Sequence, residues 1–83
     1  MERRVVFRQG KQKELILYSK YALGFTWLEF ANNLNIKRKT LEKAYRYEYC
    51  SLPYQVFQSI CNLRNLNEND LCRFYNARIV EFQ

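Results

Sequence analysis

Residues 26–46 read TWLEFANNLNIKRKTLEKAYR and decide the fold, because they contain two short amphipathic helices with a stop signal between them. In the first, Thr26 and Glu29 stand at capping-box spacing. The Thr26 hydroxyl is placed to accept the Glu29 backbone N–H, and the Glu29 carboxylate to accept the Thr26 N–H. Phe25 and Phe30 flank this box at the spacing of a hydrophobic staple, and Trp27, Phe30, Ala31 and Leu34 form the apolar stripe. Asn35 then tolerates the left-handed conformation that ends a helix. The second helix is expected from about Lys37 to about Glu48, with Leu41, Ala44 and Tyr45 inward. Its outward residues are Arg38, Lys39, Glu42, Lys43 and Arg46, and it opens on the basic run Lys37-Arg38-Lys39. The small Ala31 lets the two helices approach, while Ile36 and Leu41 fill the wedge between them.

This pattern has Ala31, the turn residue Asn35 four later, Ile36 next, and Leu41 and Ala44 five and eight after Ile36. In it the chain resembles the helix-turn-helix of the Cro and phage-repressor (XRE-like) class. More narrowly, Gly24 to Leu63, GFTWLEFANN…LPYQVFQSICNL, is similar to archaeal stand-alone helix-turn-helix proteins and to those attached to some archaeal homing endonucleases. In these a Leu-Pro step follows the recognition helix and opens the next one. The resemblance implies a recognition helix over Lys37–Arg46 with its N-terminal residues facing base edges. Two positions depart from the pattern. Asn35 stands where Gly is common, and Lys37 where Ser or Thr often caps the helix and touches a phosphate; an ammonium serves the same phosphate through charge.

A chain of 83 residues, 48% apolar, with seven Tyr, six Phe and one Trp, makes one domain (1–83) with a single core. Residues 1–46 hold eleven Lys and Arg against four Glu, whereas residues 47–83 hold three against four acids. The excess positive charge thus lies wholly in the half that carries the helix pair, as a polyanion-binding face requires.

Other chemistries find little support. Without a histidine the chain lacks the commonest general base and the commonest metal ligand. Cys50, Cys61 and Cys72 are eleven apart, with no paired spacing for zinc, so no metal, no cofactor and no enzymatic activity are expected. Their odd number and the lack of a leader-like start favour buried free thiols in a reducing cytoplasm. No apolar run approaches the ~20 residues of a membrane span, and Gly10 and Gly24 alone build no nucleotide-binding loop.

The remaining segments read as scaffold. Lys11–Leu23 suggests a first helix with Leu15, Tyr18 and Ala22 on one stripe and Ile16 beside it, ended by Gly24. Pro53 suits the first position of a further helix carrying Val56, Phe57, Ile60, Cys61 and Leu63. Asn67–Asp70 looks like the start of a short last helix with Leu71, Phe74 and Tyr75. Val5–Phe7 and Arg78–Phe82 are β-prone and terminal. The expected fold is therefore mainly α, with four to five short helices around a helix-turn-helix core at about 26–48. A small two-stranded ribbon pairs the chain ends, with a flexible basic arm as its alternative.

Double-stranded DNA is the expected partner, for a small regulator or the targeting module of a larger DNA enzyme. Lys37, Arg38, Lys39, Thr40 and Lys43 are the base-contact candidates, since Arg and Lys donate to guanine O6 and N7. Arg46, Lys20, Lys13, Lys11, Arg3, Arg4 and Arg8 are the phosphate-contact candidates. Tyr47 and Tyr49 either cover the core or offer hydroxyls to phosphate, the packing role being preferred for Tyr49. Structured RNA meeting the same basic face, and a protein-interaction module using Tyr- and Phe-rich helix faces, are the alternatives. A homodimer is left open.

Overall fold

The computed structural model describes residues 2–82. Among them lie three strands, β1 (Glu2–Val6), β2 (Leu52–Pro53) and β3 (Arg78–Phe82), and four α-helices, α1 (Lys11–Leu23), α2 (Trp27–Leu34), α3 (Tyr54–Arg64) and α4 (Glu68–Phe74). Between α2 and β2 runs a fifth helix, the π-helix Thr40–Tyr45.

The capping box of α2 is formed as the sequence demands. Thr26 Oγ1 accepts the Glu29 N–H at 3.1 Å and Glu29 Oε1 accepts the Thr26 N–H at 2.9 Å. The Thr26 backbone N–H, with its hydroxyl second, holds the Glu29 carboxyl below its ordinary pKa. The staple is also present, with the Phe25 and Phe30 rings 6.2 Å apart. Asn35 ends α2 at φ 57°, its N–H bonded to Asn32 O and the Ile36 N–H to Ala31 O at 3.0 Å.

The same left-handed ending recurs after every helix, at Gly24, Asn35, Asn65 and Asn76, and at Glu48 after the π-helix. Glycine or asparagine accepts this backbone readily, whereas Glu48 at φ 63° carries a cost of about 1 kcal/mol. Its carboxylate explains the choice. Glu48 Oε1 accepts the Gly10 N–H at 2.9 Å and Oε2 the Lys13 N–H at 3.2 Å, so an anion sits on the positive end of α1. In return, Gln12 of α1 donates its side-chain amide to the carbonyls of Tyr45 and Cys50, both at 2.9 Å. The helix expected to reach Glu48 therefore stops at Tyr45, because Glu48 leaves the helical conformation to cap α1.

That exchange also changes the buried face of α1. The buried residues are Gln12, Leu15, Ile16 and Ser19, spaced as one helical stripe, while the expected stripe members Tyr18 and Ala22 are exposed. The polar pair hid the true face from a reading based on apolar residues. With Leu15 and Ile16, the fully buried Val5, Phe30, Ala31, Leu41, Leu52, Phe57 and Ile60 make the core. Phe7 meets Phe57 edge-on at 6.1 Å, fastening the chain beyond β1 to α3.

The chain ends pair as expected, but not as a two-stranded ribbon. β1 is the centre of a three-stranded antiparallel sheet ordered β2-β1-β3, with Val5 opposite both Leu52 and Ile79. Burial of Val5 and Leu52 beneath the sheet gives the ribbon the support it would otherwise lack. Pro53 lies in the edge strand β2, where its missing N–H costs nothing, and caps α3 instead of opening it. The flexible-arm alternative is excluded for Arg3 and Arg4, which are strand residues.

The cysteines are free, but only one is deeply buried. Burial, followed by the nearby Glu68 carboxylate, pushes the Cys61 thiol up to about 11. Cys72 is half-buried and Cys50 exposed, so the expectation of three buried thiols fails at Cys50. Phe74 and Tyr49, read as packed residues, are likewise exposed, at 76% and 80%.

Two outcomes follow from these contacts. Glu48→Ala removes the cap of α1 while keeping the strained backbone, so chemical denaturation should show a loss of about 1–2 kcal/mol. Glu48→Gly, which relieves the strain, should lose less; equal losses would show that the left-handed backbone carries no strain, and an unchanged Glu48→Ala would show that the carboxylate contributes nothing. Under native conditions a thiol reagent should label Cys50 promptly and Cys61 only on unfolding. Because folded Cys61 stays protonated to about pH 11 while the unfolded thiol ionises near about 8.5, its stabilising contribution should be complete at neutral pH and decline through that window.

Candidate nucleic-acid interface

The helix pair places its cations by simple geometry. The π-helix turns Leu41 and Tyr45 into the core, and Ala44 is half-buried beside them. Lys37, Arg38, Lys39 and Lys43 remain exposed on the opposite side, with Thr40 partly covered. An α-type bond from the Leu41 N–H to Lys37 O opens the helix; the Arg46 N–H then reaches Leu41 O, a wider i→i−5 step. Insertions of this kind often occur at functional sites, since they re-aim side chains without breaking the helix.

The five base-contact candidates are not equivalent. Arg38 pairs with Glu42 four residues on, through Nη1 and Oε2. An exposed i,i+4 pair of this type is worth only about 0.3–0.5 kcal/mol, so it holds Arg38 ready without locking it. Among the described residues no carboxylate pairs with Lys37, Lys39 or Lys43. These three lysines are the uncompensated charges of this helix.

The phosphate-contact candidates divide more sharply. Arg4 is engaged by the sheet region: its Nε donates to Ser51 Oγ at 2.7 Å, Nη2 to Ser51 O, and Nη1 pairs with Glu2. Arg3 stacks on the Tyr54 ring, 4.1 Å from its centroid, and Tyr54 donates to Glu68 at 2.6 Å. That bond, more than burial, raises the Tyr54 pKa. Lys11 pairs with Glu14 at 3.1 Å. Arg8 and Lys13 are exposed, the latter with its backbone N–H on Glu48. Only Lys20 and Arg46 are brought together. Both lie over the Trp27 ring at 5.2 Å, joining α1, α2 and the end of the π-helix.

Sequence periodicity assigned Trp27 to the core, yet it is only partly buried and packs against the core while meeting two cations. Tyr21 and Tyr47 continue the arrangement, at 5.0 Å from Lys20 and 5.1 Å from Arg46. The adjacency of Lys20 and Tyr21, and of Arg46 and Tyr47, was visible in the sequence; their meeting at Trp27 needed the fold. The chain matches no family model, no curated protein and no solved structure. Among the described residues no group of three or more metal-ligating side chains forms, and no helix is long and apolar enough to cross a membrane.

Replacing Arg46 should disturb this junction through packing as well as charge. Its Nε is buried without a hydrogen-bond partner, so Arg46→Met, which keeps much of the stem and removes the polar group, should cost less stability than Arg46→Ala. A thermal melt comparing the two variants reads the difference; equal loss would mean that the side chain contributes little packing.

Proposed function

We infer that the chain is a sequence-preferring, double-stranded DNA-binding domain of helix-turn-helix type. The observation that carries this reading is the exposed, uncompensated set Lys37, Lys39 and Lys43 on a helix whose reverse face is locked into the core by Leu41 and Tyr45. A tight left-handed turn at Asn35 joins that helix to the capped α2, which suits insertion of one helix into a major groove while the other braces it. Lys39 and Lys43 are the leading base-contact residues. Arg38 joins them when Glu42 is displaced or itself accepts a cytosine amino group, and Thr40 is a secondary contact. Lys37, Lys20, Lys13 and Arg46 meet phosphates. Arg3, stacked on Tyr54, and Arg4, bonded to Ser51 and Glu2, are the weakest of the phosphate candidates. The free thiols fit a reducing cytoplasmic setting, and work as a regulator or as a targeting module is equally compatible with this surface.

Selection of random double-stranded DNA by the purified protein, at two salt concentrations and with structured RNA as competitor, tests the reading. An enriched motif that resists RNA is expected. Lys43→Ala or Arg38→Ala should then weaken binding to that motif by about 1–3 kcal/mol and relax preference at one position, while Lys37→Ala should weaken all sequences alike and shallow the salt slope. Motif-free binding that RNA displaces, or affinity indifferent to salt, would replace this reading with RNA binding or a protein interface, respectively.

A further inference from the structure

The cations and rings around Trp27 alternate in space. Tyr21 meets Lys20 at 5.0 Å, Lys20 and Arg46 each meet Trp27 at 5.2 Å, Arg46 meets Tyr47 at 5.1 Å, and the Tyr47 and Tyr49 rings are 6.1 Å apart. Three separate segments contribute, so no single helix periodicity produces the row. Its tyrosines are open to solvent, Tyr21 by 72%, Tyr47 by 45% and Tyr49 by 80%. Neither Lys20 nor Arg46 has a carboxylate partner among the described residues, and Arg46 Nε is buried with no acceptor.

We propose that this row is a binding track for single-stranded nucleic acid, with unstacked bases on the exposed tyrosine rings and phosphodiesters on Lys20 and Arg46. A groove combining cations that follow the backbone with rings that receive bases is the general solution for an unpaired strand. The arrangement is unsuited to a cationic ligand, because Lys20 and Arg46 already set positive charge beside rings that remain open to solvent. A simple anion site would use the cations alone and leave the three exposed tyrosines without a role. The track shares Lys20 and Arg46 with the proposed duplex phosphate contacts, but its tyrosines and Trp27 take no part in reading duplex DNA, so it stands whether or not that reading holds.

Trp27 is the sole tryptophan and lies in the middle of the row, so its emission reports occupancy. The probe is an oligothymidylate of about ten nucleotides, added to the full chain at low salt, with a blunt duplex in parallel. Quenching of Trp27 emission is expected. Tyr47→Ala and Tyr21→Ala, at exposed positions, should each weaken oligothymidylate binding about fivefold or more, while Tyr47→Phe, which keeps the ring, should bind like the parent. Lys43→Ala should affect the duplex far more than the oligothymidylate. No quenching, or binding that both alanine variants leave unchanged, overturns the track. Loss of duplex binding alone overturns only the duplex reading.

Discussion

The start of α1 and the end of the π-helix satisfy one another's backbone, and the placement of the basic helix depends on that exchange. A helix start leaves N–H groups without partners and a helix end leaves carbonyls. Here Glu48 supplies a carboxylate to the first and Gln12 supplies an amide to the second. Losing Gln12 would strand the buried Tyr45 carbonyl, at a cost of about 1–3 kcal/mol, whereas losing Glu48 would return partly exposed N–H groups to water and remove the favourable charge at the start of α1. The left-handed strain at Glu48 is therefore a local cost offset across the fold. Its consequence is directional: with Tyr45 and Leu41 fixed inward, the lysines of the same helix have only solvent to face.

Charge and packing act on different residues here, which is why the surface can be strongly basic without weakening the core. The buried residues are almost all apolar, and the two polar exceptions, Gln12 and Ser19, carry no charge. Ser19 accepts a bond from Arg64 at 3.4 Å. The cations that bear on binding sort into four conditions. Arg4 is bonded to Ser51 and Glu2 and Arg3 is stacked on Tyr54, Arg38 and Lys11 are paired along their own helices, Lys20 and Arg46 lie on Trp27, and Lys37, Lys39 and Lys43 are left uncompensated. Counting arginines and lysines predicts none of this, because pairing and stacking decide which charges a partner can reach.

The legible part of the fold was the part governed by short-range rules. Thr26 and Glu29 announce the start of α2, Asn35 its end, and Asn67 the start of α4, since each acts on backbone within three residues. The pairing of the chain ends followed from their β-propensity, but β2 did not, because two residues beside a proline carry no strand pattern of their own. The early end of the basic helix was hidden for a related reason: Glu48 looks like a helical residue until Gly10, thirty-eight positions away, is placed beside it. At the candidate interface the exposed lysines were readable from periodicity. The meeting of Lys20, Trp27 and Arg46 was not, since it arises where three elements converge.

The central functional claim is that the exposed face of the helix pair is where duplex DNA binds. Titration of a selected duplex into isotope-labelled protein, followed by amide chemical shifts, addresses this residue by residue. The account predicts the largest shifts over Lys37–Tyr47 and at the start of α2, fading as salt rises, with α4 and β3 nearly unmoved. Shifts centred on α4 and β3, or none at low salt, would contradict it.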